Sequence, residues 1–76
     1  MDSTTIEQMI RAGLPDAVVS VTGEDGVHFE ARVSSASFEG KSTLQRHRMV
    51  YATLGEMMGR EIHALALHTD TGSESD

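Results

Sequence analysis

Residues 17–33 read AVVSVTGEDGVHFEARV. Val18, Val19, Val21 and Thr22 favour a strand. Gly23 and Gly26, in GEDG, are free to take positive φ and turn the chain. After the turn, Val27, Phe29, Ala31 and Val33 alternate with His28, Glu30 and Arg32, which makes one face apolar and the other polar. The pattern predicts a β-hairpin with one face against a core.

Upstream, Thr4 and Glu7 have capping-box spacing, and Ile6, Met9 and Ile10 recur at helical spacing. Gly13 is placed as a left-handed C′ residue, Leu14 can pack back on Met9, and Pro15 prevents continuation. A helix over about Thr5 to Ala12 is expected. Downstream, SSASFEGKS (34–42) reads as a polar connection with one aromatic, Phe38. Ser42 and Gln45 repeat the capping-box spacing. Leu44, His47, Val50, Tyr51, Leu54, Met57 and Met58 form one helical stripe. Gly55 and Gly59 weaken its far end, so a stop is expected near Gly59. In REIHALAL (60–67), an apolar strand from Ile62 to about His68 carries an imidazole, His63, as its second residue.

The order helix–strand–strand–helix–strand places a helical crossover between the second and third strands. Such a crossover implies a parallel, right-handed connection. The expected architecture is α+β, a three-stranded mixed sheet with helices on one face. Residues 1–69 read as one domain and residues 70–76 as an acidic flexible tail.

At 76 residues the core is thin. There is no cysteine, so no disulfide, thiolate nucleophile or thiolate metal site can come from this chain. The net charge of −6 argues against broad attraction to phosphate backbones. No apolar run approaches the roughly 20 residues of a membrane span, and MDSTTIEQMI lacks the basic start of a signal peptide. A soluble cytoplasmic protein without membrane association is expected.

EGKST (39–43) lies between a strand and a helix, but a phosphate loop needs a glycine five residues before Gly40, where Ser35 stands. Lys41, Arg46 and Arg48 form the one concentrated basic turn, suited to nucleic acid or an acidic partner. The bland alternative is a solvated turn with His47 packed inward. Among the histidines, His63 and His68 lie about 16 Å apart along one strand at ~3.3 Å per residue and cannot share a metal. His28 and His63 start neighbouring strands about 4.8 Å apart, which allows a shared metal at one end of the sheet. A regular pleat opposes this, because His63 shares a face with Leu65 and Leu67 while His28 points away from Phe29. Two histidines also leave a metal under-ligated, since a closed zinc site takes four ligands. Further ligands would have to come from another molecule. No nucleophile–base or paired-carboxylate spacing is recognisable, so an enzyme is not expected.

VHFEARVSSASFEGKSTLQRHRMVYATL (27–54) followed by IHALAL (62–67) resembles the BolA-like family over nearly the whole chain. The resemblance implies a KH-like fold of class II topology, α-β-β-α-(α)-β. It implies that His63, in the IHAL signature, is the leading metal ligand and that His28, at a position carrying cysteine or histidine, is the second. It further implies partnership with a monothiol glutaredoxin. The [2Fe–2S] cluster would be shared with that protein and its glutathione, and none would be held by the isolated chain. The expected role is cluster trafficking or iron homeostasis. Transcription regulation through DNA contacts at Lys41, Arg46 and Arg48 is the alternative. A homodimer is left open. The chain ends HTDTGSESD, where the family often has T-P-x-x-W.

Overall fold

The computed structural model describes residues 1–23 and 25–72. Helix α1 spans Ser3–Gly13, β1 Val18–Thr22, β2 His28–Ser34, α2 Thr43–Leu54 and β3 Ala64–Asp70, with 3-10 turns at Ala36–Phe38 and Gly55–Met57. The sheet order is β1-β2-β3, with β1 and β2 antiparallel and β2 and β3 parallel. This is the expected α+β arrangement, with the helical crossover forcing the parallel pair. No helix among the described residues is long and apolar enough to cross a membrane.

The core follows from the alternation in β2. Phe29, Ala31 and Val33 are buried, and His28, Glu30 and Arg32 are exposed. Val19, Leu65, and Ile6, Ile10, Val50 and Leu54 from the helices close over the same sheet face. Val27 departs from the expected face. It precedes the strand and is exposed.

The helix boundaries shift for identifiable reasons. Asp2 caps α1 in place of Thr4, its carboxylate accepting the Thr5 N–H at 2.8 Å. Gly13 stays helical, and Leu14 N–H closes on the Ile10 carbonyl at 2.8 Å. The reason for glycine there is packing between helices. A Cβ on Gly13 would collide with Thr53 Cγ2 and come within 2.9 Å of Thr53 Cβ. In α2 the Ser42/Gln45 capping box forms in both directions, at 2.8 and 3.2 Å. The helix ends at Leu54, before the expected stop, because Gly55 takes φ 55° at its C-cap. Leu44 leaves the apolar stripe, at 59% exposed.

The connection before α2 is less polar than it reads. Ser35 Oγ caps the Ala36–Phe38 turn by accepting the Ser37 N–H at 3.1 Å, and it donates to Asp16 Oδ2 at 2.7 Å. The hydrogen bond from the Ser35 hydroxyl, above all, holds the Asp16 carboxyl below its usual range. This small network locks Phe38 into the core, where it is fully buried. Such burial stabilises by about 1.5–3 kcal/mol.

The third strand starts two residues later than expected, and His63 lies outside it. Ile62 is buried but held by a turn rather than the ladder. Its N–H donates to the Met57 carbonyl at 2.9 Å, and its carbonyl accepts the Gly59 N–H at 2.9 Å. The strand also ends later. Asp70 pairs with Ser34 and accepts the Ser35 N–H at 3.0 Å, so the expected tail cannot begin at residue 70. Residues 73–76 of that tail lie outside the described residues.

Candidate functional site

The parallel register aligns His28 with Ala64, one residue after His63. Both imidazoles therefore lie at the same end of adjacent strands, and both residues are exposed. The pleat argument does not apply to His63, which lies outside β3, after the 59–61 turn and the Met58–Ile62 bridge. Had the strand begun at Ile62, His63 would share the buried face of Leu65. Strand β3 instead begins at Ala64, and His63 follows a tight turn and reaches solvent. The alternation breaks at the start of β3.

His63 sits between two anchored residues, buried Ile62 and ladder-paired Ala64. Its side chain makes no hydrogen bond or ion pair among the described residues. His28 is held differently. Its Nδ1 lies 2.8 Å from Asp25 Oδ2, while Asp25 Oδ1 accepts the backbone N–H of Val27 at 2.9 Å and of His28 at 2.8 Å. The His28 side-chain hydrogen bond is the largest influence on Asp25. With the two backbone donors it holds the carboxyl far below its ordinary value of 3.8. Gly26 takes φ 72°, which lets the loop close this tightly.

An open hollow of about 440 Å³ lies beside this loop, lined by Thr22, Gly23, Asp25, His28, Phe29 and Glu30. Gly23 makes room for the aromatic wall. A Cβ there would collide with Phe29 Cδ1 and approach Cε1 to 2.6 Å. His28, with a side chain 72% exposed, stands at this hollow.

Two exposed imidazoles at one end of a sheet can supply part of a coordination shell. Among the described residues, no three His, Asp or Glu side chains are grouped to hold a metal ion. The donor set present is two nitrogens and no thiolate. It fits a metal group whose other ligands arrive with a second molecule.

The remaining histidines are elsewhere. His68 lies on the open sheet face, its Nε2 3.2 Å from Glu30 Oε2 across the β2–β3 pair. His47 is half-buried on α2. In the basic turn, Lys41 and Arg48 are exposed, and Arg46 Nε donates to the Lys41 carbonyl at 3.0 Å. That bond folds Arg46 back on the helix entry, so the three cations are not equivalent. Sequence reasoning missed Asp25 as a partner of His28. The D-x-x-H spacing was visible, but only the folded loop turns the carboxylate onto both the ring and the backbone.

A family model described as "BolA-like protein" matches residues 10–74. The chain is 38% identical to human "BolA-like protein 1" over 91% of its own length and 60% of the relative's. It thus spans less than two thirds of that relative. It is 37% identical to the "DNA-binding transcriptional regulator BolA" of Escherichia coli, over 91% of this chain and 74% of that one. Among solved structures, a bolA protein homologue from Coxiella burnetii superposes with a TM-score of 0.88. The two are 46% identical, with 99% of this chain and 96% of that one covered.

Proposed function

This chain belongs to the BolA-like protein family, and on that premise we propose that it is a non-enzymatic cytoplasmic partner of a monothiol glutaredoxin, sharing with it a [2Fe–2S] cluster in cluster trafficking or iron homeostasis. One observation carries this reading. His28 opens β2 and His63 immediately precedes β3 at the same end of the sheet, both exposed, on a chain without cysteine. Neutral imidazole is a good metal ligand, but two imidazoles do not complete a site. The glutaredoxin and its glutathione supply the thiolates this chain lacks. Histidine in place of thiolate raises the potential of such a cluster.

His63 and His28 bind from anchored backbones, so each loses less entropy on coordination. The test is to mix the chain with a cluster-loaded monothiol glutaredoxin and record visible absorption and circular dichroism. The spectrum should change on mixing, and His63→Ala and His28→Ala should each alter it or shorten its lifetime. A mixed spectrum and lifetime unaffected by both substitutions would remove the histidines as ligands.

A second reading has support of its own. Lys41 and Arg48 are exposed at the entry to α2, and the E. coli relative is named as a DNA-binding regulator. The chain's net charge of −6 opposes phosphate binding outside that turn, which makes this the weaker of the two.

A further inference from the structure

We infer that Asp25 is a positioning residue for His28, fixing the ring as the Nδ1–H tautomer so that Nε2 is the nitrogen presented to a metal. This rests on the reading of His28 as a ligand. The geometry gives the reason. Oδ1 of Asp25 is committed to two backbone donors, Val27 N–H at 2.9 Å and His28 N–H at 2.8 Å. Oδ2 therefore faces Nδ1, at 2.8 Å. An ionised carboxylate has only acceptors, so Nδ1 must carry the hydrogen. In the neutral ring the lone pair is then on Nε2.

A hydrogen bond from one ring nitrogen decides which nitrogen coordinates, and a carboxylate in that place also raises ligand basicity. The same carboxylate closes the loop through the His28 backbone N–H. One side chain thereby sets both where the ring starts and which nitrogen it offers.

Asp25→Asn isolates the effect. The two backbone N–H groups hold the amide oxygen where Oδ1 was, so the amide NH₂ must face Nδ1. An NH₂ only donates, so Nδ1 becomes the acceptor and the hydrogen moves to Nε2. The loop is kept and the tautomer is inverted.

The experiment has two arms. In the first, long-range ¹H–¹⁵N correlations of the full chain without metal, recorded where the imidazoles are neutral, assign the His28 tautomer. Wild type should show Nδ1–H, and Asp25→Asn should show Nε2–H with unchanged far-UV circular dichroism. A wild-type ring that is Nε2–H, or an equal mixture, overturns the inference without touching His28 as a ligand. In the second arm, wild type, Asp25→Asn and His28→Ala are each mixed with cluster-loaded monothiol glutaredoxin. Loss of an outer-shell partner typically weakens metal binding by 10–100-fold, so Asp25→Asn should lose the cluster on the order of 10-fold faster. If His28→Ala shortens cluster lifetime and Asp25→Asn does not, Asp25 has no positioning role. If neither changes it, His28 is not a ligand, and the inference falls with the reading beneath it.

Discussion

Replacing Gly13 by alanine separates two physical accounts of one residue. If glycine were needed for a left-handed helix end, Gly13→Ala would cost about 1 kcal/mol in backbone strain, whatever stood nearby. The structure has Gly13 as the last helical residue of α1, against Thr53 of α2. Alanine there gains up to about 1 kcal/mol of helix propensity. Against this, the new Cβ would collide with Thr53 Cγ2 and lie within 2.9 Å of Thr53 Cβ. Rotating Thr53 does not clear the second contact, and it would break the Oγ1 bond to the Val50 carbonyl at 2.6 Å. Overpacking of this kind costs about 1–3 kcal/mol. The collision outweighs the propensity gain, and a net loss of about 1 kcal/mol is expected. For a domain of this size that lowers Tm by about 4–8 °C. In urea, with a slope of about 1 kcal/mol/M, the midpoint should move down by about 1 M. Thr53→Ala removes Cγ2, so the double variant should recover part of the loss in a double-mutant cycle. If Gly13→Ala is as stable as wild type, or Thr53→Ala leaves its cost unchanged, the helices do not meet as described.

Phe38→Ala, in a connection that reads as polar, should cost about 3–5 kcal/mol, a large part of a domain's usual 5–15 kcal/mol; a midpoint shift worth under about 1 kcal/mol would place Phe38 outside the core. Asp2, Asp16 and Asp25 all have carboxyls held below the ordinary value of 3.8. Their ionised forms are favoured by folding, so the stability they contribute is complete above about pH 4 and is lost as pH falls through the lowered values. Thermal scans from pH 6 to pH 2 should show that loss, and Asp16→Asn, which cannot titrate, should flatten the slope. Charge reversal at Lys41 and Arg48 should abolish any binding to a DNA duplex and remove its salt dependence, read by fluorescence anisotropy at two salt concentrations; binding that survives both changes lies on another surface.

The sequence alone determined the hairpin, the order of elements and the parallel pairing of β2 with β3. These rest on local signals. Alternation places Phe29, Ala31 and Val33 on one face, a capping box starts α2, and a helix between two strands admits only a parallel return. It also showed that the chain has no cysteine, so that two histidines alone would leave a metal under-ligated. What it misjudged were the places where a residue's role depends on a contact outside its own element. Gly13 read as a turn residue because its collision partner is forty positions away. Phe38 read as a lone aromatic in a polar loop because the Asp16–Ser35 bond that seats it joins separate segments. Ile62 and His63 read as strand because apolar residues suit a ladder and a buried turn equally. Only the hydrogen bonds of Ile62, its N–H to the Met57 carbonyl and its carbonyl from the Gly59 N–H, decide between them. That decision takes His63 out of the strand alternation and leaves it exposed, at the same end of the sheet as His28. Periodicity reports which face of a regular element a residue occupies; where the element stops, tertiary hydrogen bonds choose the direction.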